Sequence, residues 1–88
     1  MDHFFYGVLL EEANLEGVNF TGADLTGSHF AEANLKGTNF TGADLRGAYF
    51  TENKVRGYGK IKNLTPEQIK KARNWKEADY DDDFNKKL

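Results

Sequence analysis

Residues 21–25 read Thr-Gly-Ala-Asp-Leu, and the same five residues return at 41–45. Around these two copies an apolar residue occupies every fifth position: Leu15, Phe20, Leu25, Phe30, Leu35, Phe40, Leu45, Phe50 and Val55, with Phe5 and Leu10 before them. A five-residue period matches neither the 3.6-residue period of an α-helix nor the two-residue period of a strand. The sequence therefore predicts another geometry, built from five-residue units.

Each unit predicts a short extended side that ends in a corner. In Ala23-Asp24-Leu25 the small, polar and large side chains alternate in, out and in, as they do along a strand. The glycine that usually follows two residues later accepts backbone angles that other residues resist, which suits a corner. Glutamate replaces this corner glycine only at positions twenty residues apart: Glu12, Glu32 and Glu52.

This twenty-residue recurrence predicts that four sides make one coil, with equivalent positions stacked at about 4.8 Å. Opposite sides of such a coil lie two units apart along the chain. Because leucine and phenylalanine alternate from one unit to the next, leucine should face leucine and phenylalanine should face phenylalanine in the interior.

Nine consecutive units of the form A-[DN]-[LF]-x-G, in register from Ala13 to Gly57, resemble the pentapeptide-repeat proteins. The resemblance covers residues 3–57 and implies an all-β fold, a right-handed quadrilateral parallel β-helix of about three coils. The tail L-T-P-E-Q-I-K-K-A-R-N-W is similar to endings of cyanobacterial members, which points to a cyanobacterium or a cyanophage as the source.

A C-terminal helical cap over residues 64–88 is predicted to complete a single domain of residues 1–88. Thr65 is placed as a helix N-cap, with Pro66 at the first helical position and Gln68 completing a capping box. The helix is predicted to run to about Ala78, and residues 79–88 to add another turn or two. Four apolar residues should cover the last coil: Leu64, Ile69, Ala72 and Trp75. A docking helix for a partner or second subunit is the alternative interpretation.

The N-terminal end is more apolar than an exposed coil should be, and it is predicted to cap the first coil through Met1, His3, Phe4, Val8 and Leu9. An incomplete cap would leave a self-association surface, so the expected state is a monomer or a weak homodimer through a coil end.

Composition excludes several functional classes. Cysteine is absent, the formal net charge is −2, and no segment is basic enough to predict direct nucleic-acid binding. Neither a secretory signal nor an apolar run of membrane-spanning length is present, which predicts a cytoplasmic protein without a membrane partner. The histidines, His3 and His29, accompany no recognisable nucleophile, so we expect neither an enzyme nor a cofactor.

Two outward features are candidate sites. The column Glu12, Glu32 and Glu52 either splays into water and pairs with nearby cations, which is the preferred interpretation, or holds a hard cation such as calcium. Beside it, Leu9, His29 and Tyr49 form an apolar column where other sides carry Asn or Asp. Such a departure is typical of a protein-binding face, although stacked side chains can also simply pack on one another.

The resulting functional prediction is a non-catalytic structural or protein-interaction module with an unknown protein partner. The resemblance implies one alternative, because some pentapeptide-repeat proteins mimic duplex DNA and bind type II topoisomerases, protecting or inhibiting gyrase. This chain looks poorly suited to that role, because its coil region is short and mixes cations with its acids: Lys36, Arg46, Lys54 and Arg56.

Overall fold

A computed structural model describes residues 7–88 and shows parallel backbone pairing between positions twenty apart. The paired positions are Leu9 with His29, Asn14 with Asn34, Asn19 with Asn39, Asp24 with Asp44, and His29 with Tyr49. Each pairing is carried by bonds in both directions, as where Asn34 N–H donates to the Ala13 carbonyl and Leu15 N–H donates to the Asn34 carbonyl, both at 3.0 Å. Side chains twenty residues apart therefore lie over one another.

The corners adopt left-handed backbone angles. Gly22 and Gly42 have φ of 70° and 69°, a region that is costly for residues with a Cβ. Gly22 N–H also donates to the Thr41 carbonyl at 2.9 Å, so that the ladder continues through the corner. Glycine thus lets the chain turn without interrupting the stacked hydrogen bonds.

The interior is filled by the five-residue series, and its phenylalanines meet across it. Phe30 stacks on Phe50 with ring centroids 4.7 Å apart, and Phe40 meets both rings edge to face at 6.0 and 5.8 Å. These contacts agree with the predicted facing of like residues. Small buried side chains, including Ser28 and Ala48, sit beside the large ones. Each large buried group contributes about 1.5 to 3 kcal/mol.

The interpretation of Val55 as the last inward residue of the series was wrong. Asn53 and Tyr58 exchange two backbone hydrogen bonds of 2.9 Å, which makes residues 53–58 a β-hairpin with a four-residue loop. Val55 lies in this loop and is 97% exposed. Because the residues that flank the loop pair with each other, Val55 is carried away from the core.

After the hairpin the chain passes along the coil again. Lys62 pairs in parallel with Asn34 and Arg73 with Asp44, while strand β1 (Tyr49–Phe50) pairs in parallel with β2 (Asp79–Tyr80). Three short helical segments interrupt this passage: α1 (Pro66–Lys70), a 3₁₀ helix (Trp75–Glu77) and α2 (Asp82–Asn85). None of the helices within residues 7–88 has the length and apolar character needed to cross a membrane.

Helix α1 begins as predicted but ends early. Thr65 and Gln68 form the capping box, in which Thr65 N–H donates to Gln68 Oε1 at 2.8 Å. The helix stops at Lys70 rather than near Ala78, because the backbone of Arg73 is bonded to the coil instead: its N–H donates to the Ala43 carbonyl at 2.7 Å. The stacked ladder thus outcompetes helix propensity in this segment.

Asp44 links the last passage of the chain to the outward polar ladder. Its Oδ1 accepts a 2.9 Å hydrogen bond from Asn74 Nδ2, which lowers the pKa of the carboxyl below its ordinary 3.8, with smaller contributions from the Arg46 backbone N–H and the Arg73 charge. A lowered folded-state pKa stabilises the protein above the unfolded value, and this contribution is lost as the pH falls through the folded one.

We therefore expect acidification from about pH 5 to about pH 3 to destabilise the wild type slightly more than Asp44→Asn. The difference should be small because this carboxylate is largely solvated. Urea unfolding at each pH measures it. A larger acid sensitivity in the variant would contradict the assigned direction of the pKa shift.

Candidate protein-interaction face

The predicted column of Leu9, His29 and Tyr49 is continuous in the structure. His29 pairs with Leu9 on one side and with Tyr49 on the other, and the His29 and Tyr49 rings stack with centroids 4.5 Å apart at 19°. Leu9 is 55% exposed and Tyr49 is 40% exposed. The column therefore packs on itself and still presents apolar surface to solvent.

The other sides of the coil carry a different outward chemistry. There the Asn or Asp side chain accepts the backbone N–H of the residue two positions later, at 2.9 to 3.2 Å; the acceptors are Asn14, Asn19, Asp24, Asn34, Asn39 and Asp44. Such bonds stabilise a turn. Leucine has no side-chain acceptor, and within residues 7–88 neither His29 nor Tyr49 makes this bond, so the apolar column lacks that support.

The corners beside the column are also unusual. Glu12 and Glu32 have φ of 63° and 61°, a conformation that costs a residue with a Cβ about 1 to 2 kcal/mol. Glu52 does not share this backbone conformation, and its N–H donates to both carboxylate oxygens of Asp81 at 3.2 Å. The three glutamates share a position in the repeat, but only Glu12 and Glu32 share a corner geometry.

Carboxylates on this face contact the 53–58 hairpin and the residue that follows it. Glu32 Oε1 accepts the Gly59 N–H at 2.6 Å, Glu52 pairs with Lys54 at 3.7 Å, and Glu11 pairs with Arg56 at 3.8 Å. Within residues 7–88 no group of three or more His, Asp or Glu side chains is arranged to bind a metal ion. Of the three predicted column glutamates, Glu52 thus has a partner in the hairpin and Glu32 binds the residue that follows it.

Removing the two left-handed glutamates should have opposite effects. Glu12→Gly relieves the strained backbone and breaks no side-chain bond in the described structure, so we expect a gain of about 0.5 to 1 kcal/mol in unfolding free energy. Glu32→Gly relieves similar strain but loses the bond to Gly59, and we expect a net loss of about 1 kcal/mol. Urea unfolding distinguishes them, and equal shifts for both variants would contradict this account.

A groove of about 360 Å³ lies between the apolar column and the hairpin. Its lining consists of Glu11, His29, Ala31, Tyr49, Thr51, Glu52 and Asn53. The Glu11 side chain is only 4% exposed, and its Oε2 has no hydrogen-bond partner. The sequence pattern does not predict the burial of Glu11, because that burial depends on the hairpin. The interruption of the repeat at Asn53, followed by Gly57, was the available signal for that hairpin.

The residues predicted to cover the last coil lie against the hydrophobic core. Ile69 and Ala72 are buried within it, while Leu64 and Trp75 are partly buried and pack on it. The ammonium groups of Lys70 and Lys76 lie 5.8 and 5.5 Å from the centre of the Trp75 ring. This part of the chain therefore contributes apolar surface to the core.

The predicted N-terminal cap cannot be placed in the same way. Met1, His3 and Phe4, like Phe5 of the apolar series, lie outside the described residues. Val8 is partly buried and Leu9 is exposed.

Five-residue units that stack at intervals of twenty define a solenoid of short repeats, with one outward column that departs from its polar pattern. A family model for pentapeptide repeats matches in eight copies, over residues 5–42 and 13–52, which together cover more than half of the chain. The chain belongs to the pentapeptide-repeat family, whose repeats generally form right-handed β-helices and whose members are generally non-catalytic. No curated protein and no solved structure matches it.

Proposed function

We propose that this chain is a non-catalytic interaction module that binds a protein partner through the column of Leu9, His29 and Tyr49. The observation that supports this proposal is the position of the large exposed hydrophobic side chains. Among the described residues these are Leu9, Tyr49 and Val55. The first two belong to the column, and the hairpin with Val55 is tied to the adjoining Glu11 through Arg56. Clustered apolar and aromatic surface is characteristic of contact sites.

The backbone beneath the column supports this proposal. The fold that we propose is a β-helix of about three coils closed by residues 64–88, in which the outward columns stand on a hydrogen-bonded backbone ladder. The stacked His29 and Tyr49 rings are held in place before a partner arrives. Binding would then order few additional groups, which lowers the entropic cost of association.

The test compares partner capture by a variant of this face with capture by a charge variant elsewhere. His29→Asn with Tyr49→Asn installs the residue type that the other sides use, so we expect the coil to be preserved while the contact surface is lost. Glu16→Gln with Lys36→Gln is the control, because both residues are exposed and line no part of the groove.

We expect capture from a lysate of the source cells to recover a partner with the wild type and with the control. Recovery with the column variant should fall about tenfold or more, the scale expected for truncating an aromatic hot spot. Equal recovery of the same proteins by all three baits would contradict an interaction through this face.

The topoisomerase alternative makes a separate prediction. Duplex DNA carries one negative charge per about 1.7 Å, whereas exposed Lys36, Arg46 and Lys54 are distributed among the acids of this chain. We therefore expect no inhibition of gyrase supercoiling at micromolar protein. Inhibition at that concentration would favour DNA mimicry over the interaction face.

A further inference from the structure

We propose that the groove beside the column binds the guanidinium group of an arginine side chain on the partner protein. This inference rests on the proposed function and specifies the chemistry of the contact. The site, called here the Glu11 groove, is the space of about 360 Å³ between the column and the hairpin. Its polar lining groups are Glu11, His29, Tyr49, Thr51, Glu52 and Asn53.

The state of the Glu11 carboxylate favours an additional hydrogen-bond donor. Its side chain is 4% exposed, and Oε2 is buried without a hydrogen-bond donor. The cation that pairs with it, Arg56, places Nε at 3.8 Å, which is an ion pair but is too long for a hydrogen bond. A buried carboxylate oxygen in this state is stabilised by any donor that reaches it.

The charge of the groove lining favours a cation. Glu52 provides a second carboxylate in the lining, and none of the lining residues is a lysine or an arginine. Glu52 pairs with Lys54 at 3.7 Å, but the Lys54 side chain is 83% exposed, so that this pair lies largely in solvent. A cation that enters the groove therefore meets two carboxylates and no lysine or arginine in the lining.

Donor geometry and hydration favour arginine over lysine. A guanidinium group is planar and carries five N–H donors, so one group can donate to Glu11 and to other oxygens of the lining. It is also less strongly hydrated than an ammonium group, which favours its entry into a partly enclosed groove. Arginine is accordingly enriched at protein interfaces.

Arg56 is the internal competitor for the same carboxylate. It lies with its guanidinium carbon 5.7 Å from the centre of the Tyr58 ring, and its side chain is about half exposed. It approaches Glu11 from the hairpin and does not line the groove. Removing its charge should therefore strengthen the binding of an external guanidinium.

The experiment is an NMR titration of the full chain with N-acetyl-arginine amide, followed through backbone amide shifts. N-acetyl-citrulline amide is the matched probe, because it has nearly the same shape without the charge. We expect saturable shifts at Glu11, Tyr49 and Asn53 with the arginine probe, with a dissociation constant in the millimolar range. The citrulline probe should bind at least tenfold more weakly, and N-acetyl-lysine amide severalfold more weakly.

Three variants locate the site. Glu11→Gln should weaken the arginine probe at least fivefold, while Glu16→Gln, an exposed glutamate outside the groove, should leave its binding unchanged. Arg56→Gln should strengthen binding severalfold. If Glu11→Gln perturbs the hairpin resonances without ligand, Glu52→Gln takes its place, with a weakening of at least twofold expected.

Several results would overturn the proposal: shifts that do not saturate, equal binding of the citrulline probe, lysine binding as tight as arginine, or binding that appears only in Arg56→Gln. The titration needs no partner, so its failure would leave the column free to act as an apolar contact face. Conversely, equal partner capture by the column variant would count against the proposed function, even if the arginine probe still bound with saturation.

Discussion

Replacing Phe50 with alanine is expected to lower the free energy of unfolding by about 3 to 5 kcal/mol. Phe50 is 1% exposed and stacks between Phe30, at 4.7 Å, and Tyr80, at 5.7 Å, while Phe40 meets its edge. Truncation would leave a cavity that borders both the repeat and the last passage of the chain. Because a domain of this size has about 5 to 15 kcal/mol of stability, urea unfolding followed by circular dichroism should detect the loss readily.

Val55→Ala is the matched comparison, because Val55 occupies the next position of the same five-residue series. It is 97% exposed, so we expect a change within about 0.5 kcal/mol, whereas a core valine contributes about 1.5 to 3 kcal/mol. If Phe50→Ala does not fold, Phe50→Leu provides a milder version, with an expected loss of about 1 to 2 kcal/mol. A loss above 1 kcal/mol for Val55→Ala would show that the series continues into the core at that position.

The comparison of Phe50 with Val55 also shows what periodicity can predict. Within the repeat every unit has the same local environment, so a period of five with a recurrence at twenty predicts which residues pair and which face inward. The contacts among Phe30, Phe40 and Phe50 follow from that rule alone. At its end the rule fails, because Asn53 and Tyr58 exchange two backbone hydrogen bonds with each other instead of continuing the coil.

The predicted length of α1 was wrong for a related reason. The capping box at Thr65 and Gln68 is a local signal that four residues are enough to predict, and the structure confirms it. The end of the helix at Lys70 depends on Arg73 finding Ala43 across the coil, a tertiary bond that no window of local sequence contains. Local propensity therefore located the start of the helix and overestimated its length.

The candidate site likewise has one part that the repeat predicts and one part that it does not. The column of Leu9, His29 and Tyr49 could be predicted because stacking at intervals of twenty places those residues together. The buried state of Glu11 could not, because it depends on the position of Arg56 on a hairpin that interrupts the repeat. The repeat thus predicts where a departure from the pattern will lie, whereas irregular segments determine how enclosed it becomes.

The second large effect is expected for Gln68→Glu. In the regular coil the Val18 carbonyl accepts the Asn39 backbone N–H at 2.9 Å. Twenty residues later α1 replaces the next side of the coil, and Gln68 Nε2 donates to the Thr38 carbonyl at 3.0 Å and to the Leu35 carbonyl at 2.7 Å. The side-chain amide of Gln68 thus takes over a bond that a backbone N–H makes one coil earlier.

Glutamate at position 68 keeps the oxygen that caps Thr65 but has no N–H to donate, and it sets a carboxylate against two carbonyl oxygens. We expect a loss of about 2 to 4 kcal/mol in unfolding free energy, measured in urea.

Two further variants separate the causes of that loss. Thr65→Ala removes the helix cap alone and should cost about 0.5 to 2 kcal/mol. Asn39→Asp makes the same amide-to-carboxylate change on the outer surface next to Thr38, where the side chain needs only its acceptor for Thr41; we expect a change within about 0.5 kcal/mol. If Gln68→Glu cost no more than Thr65→Ala, the donated bonds to Leu35 and Thr38 would not be what fastens α1 to the coil, and the apolar contacts of Ile69 would have to hold it instead.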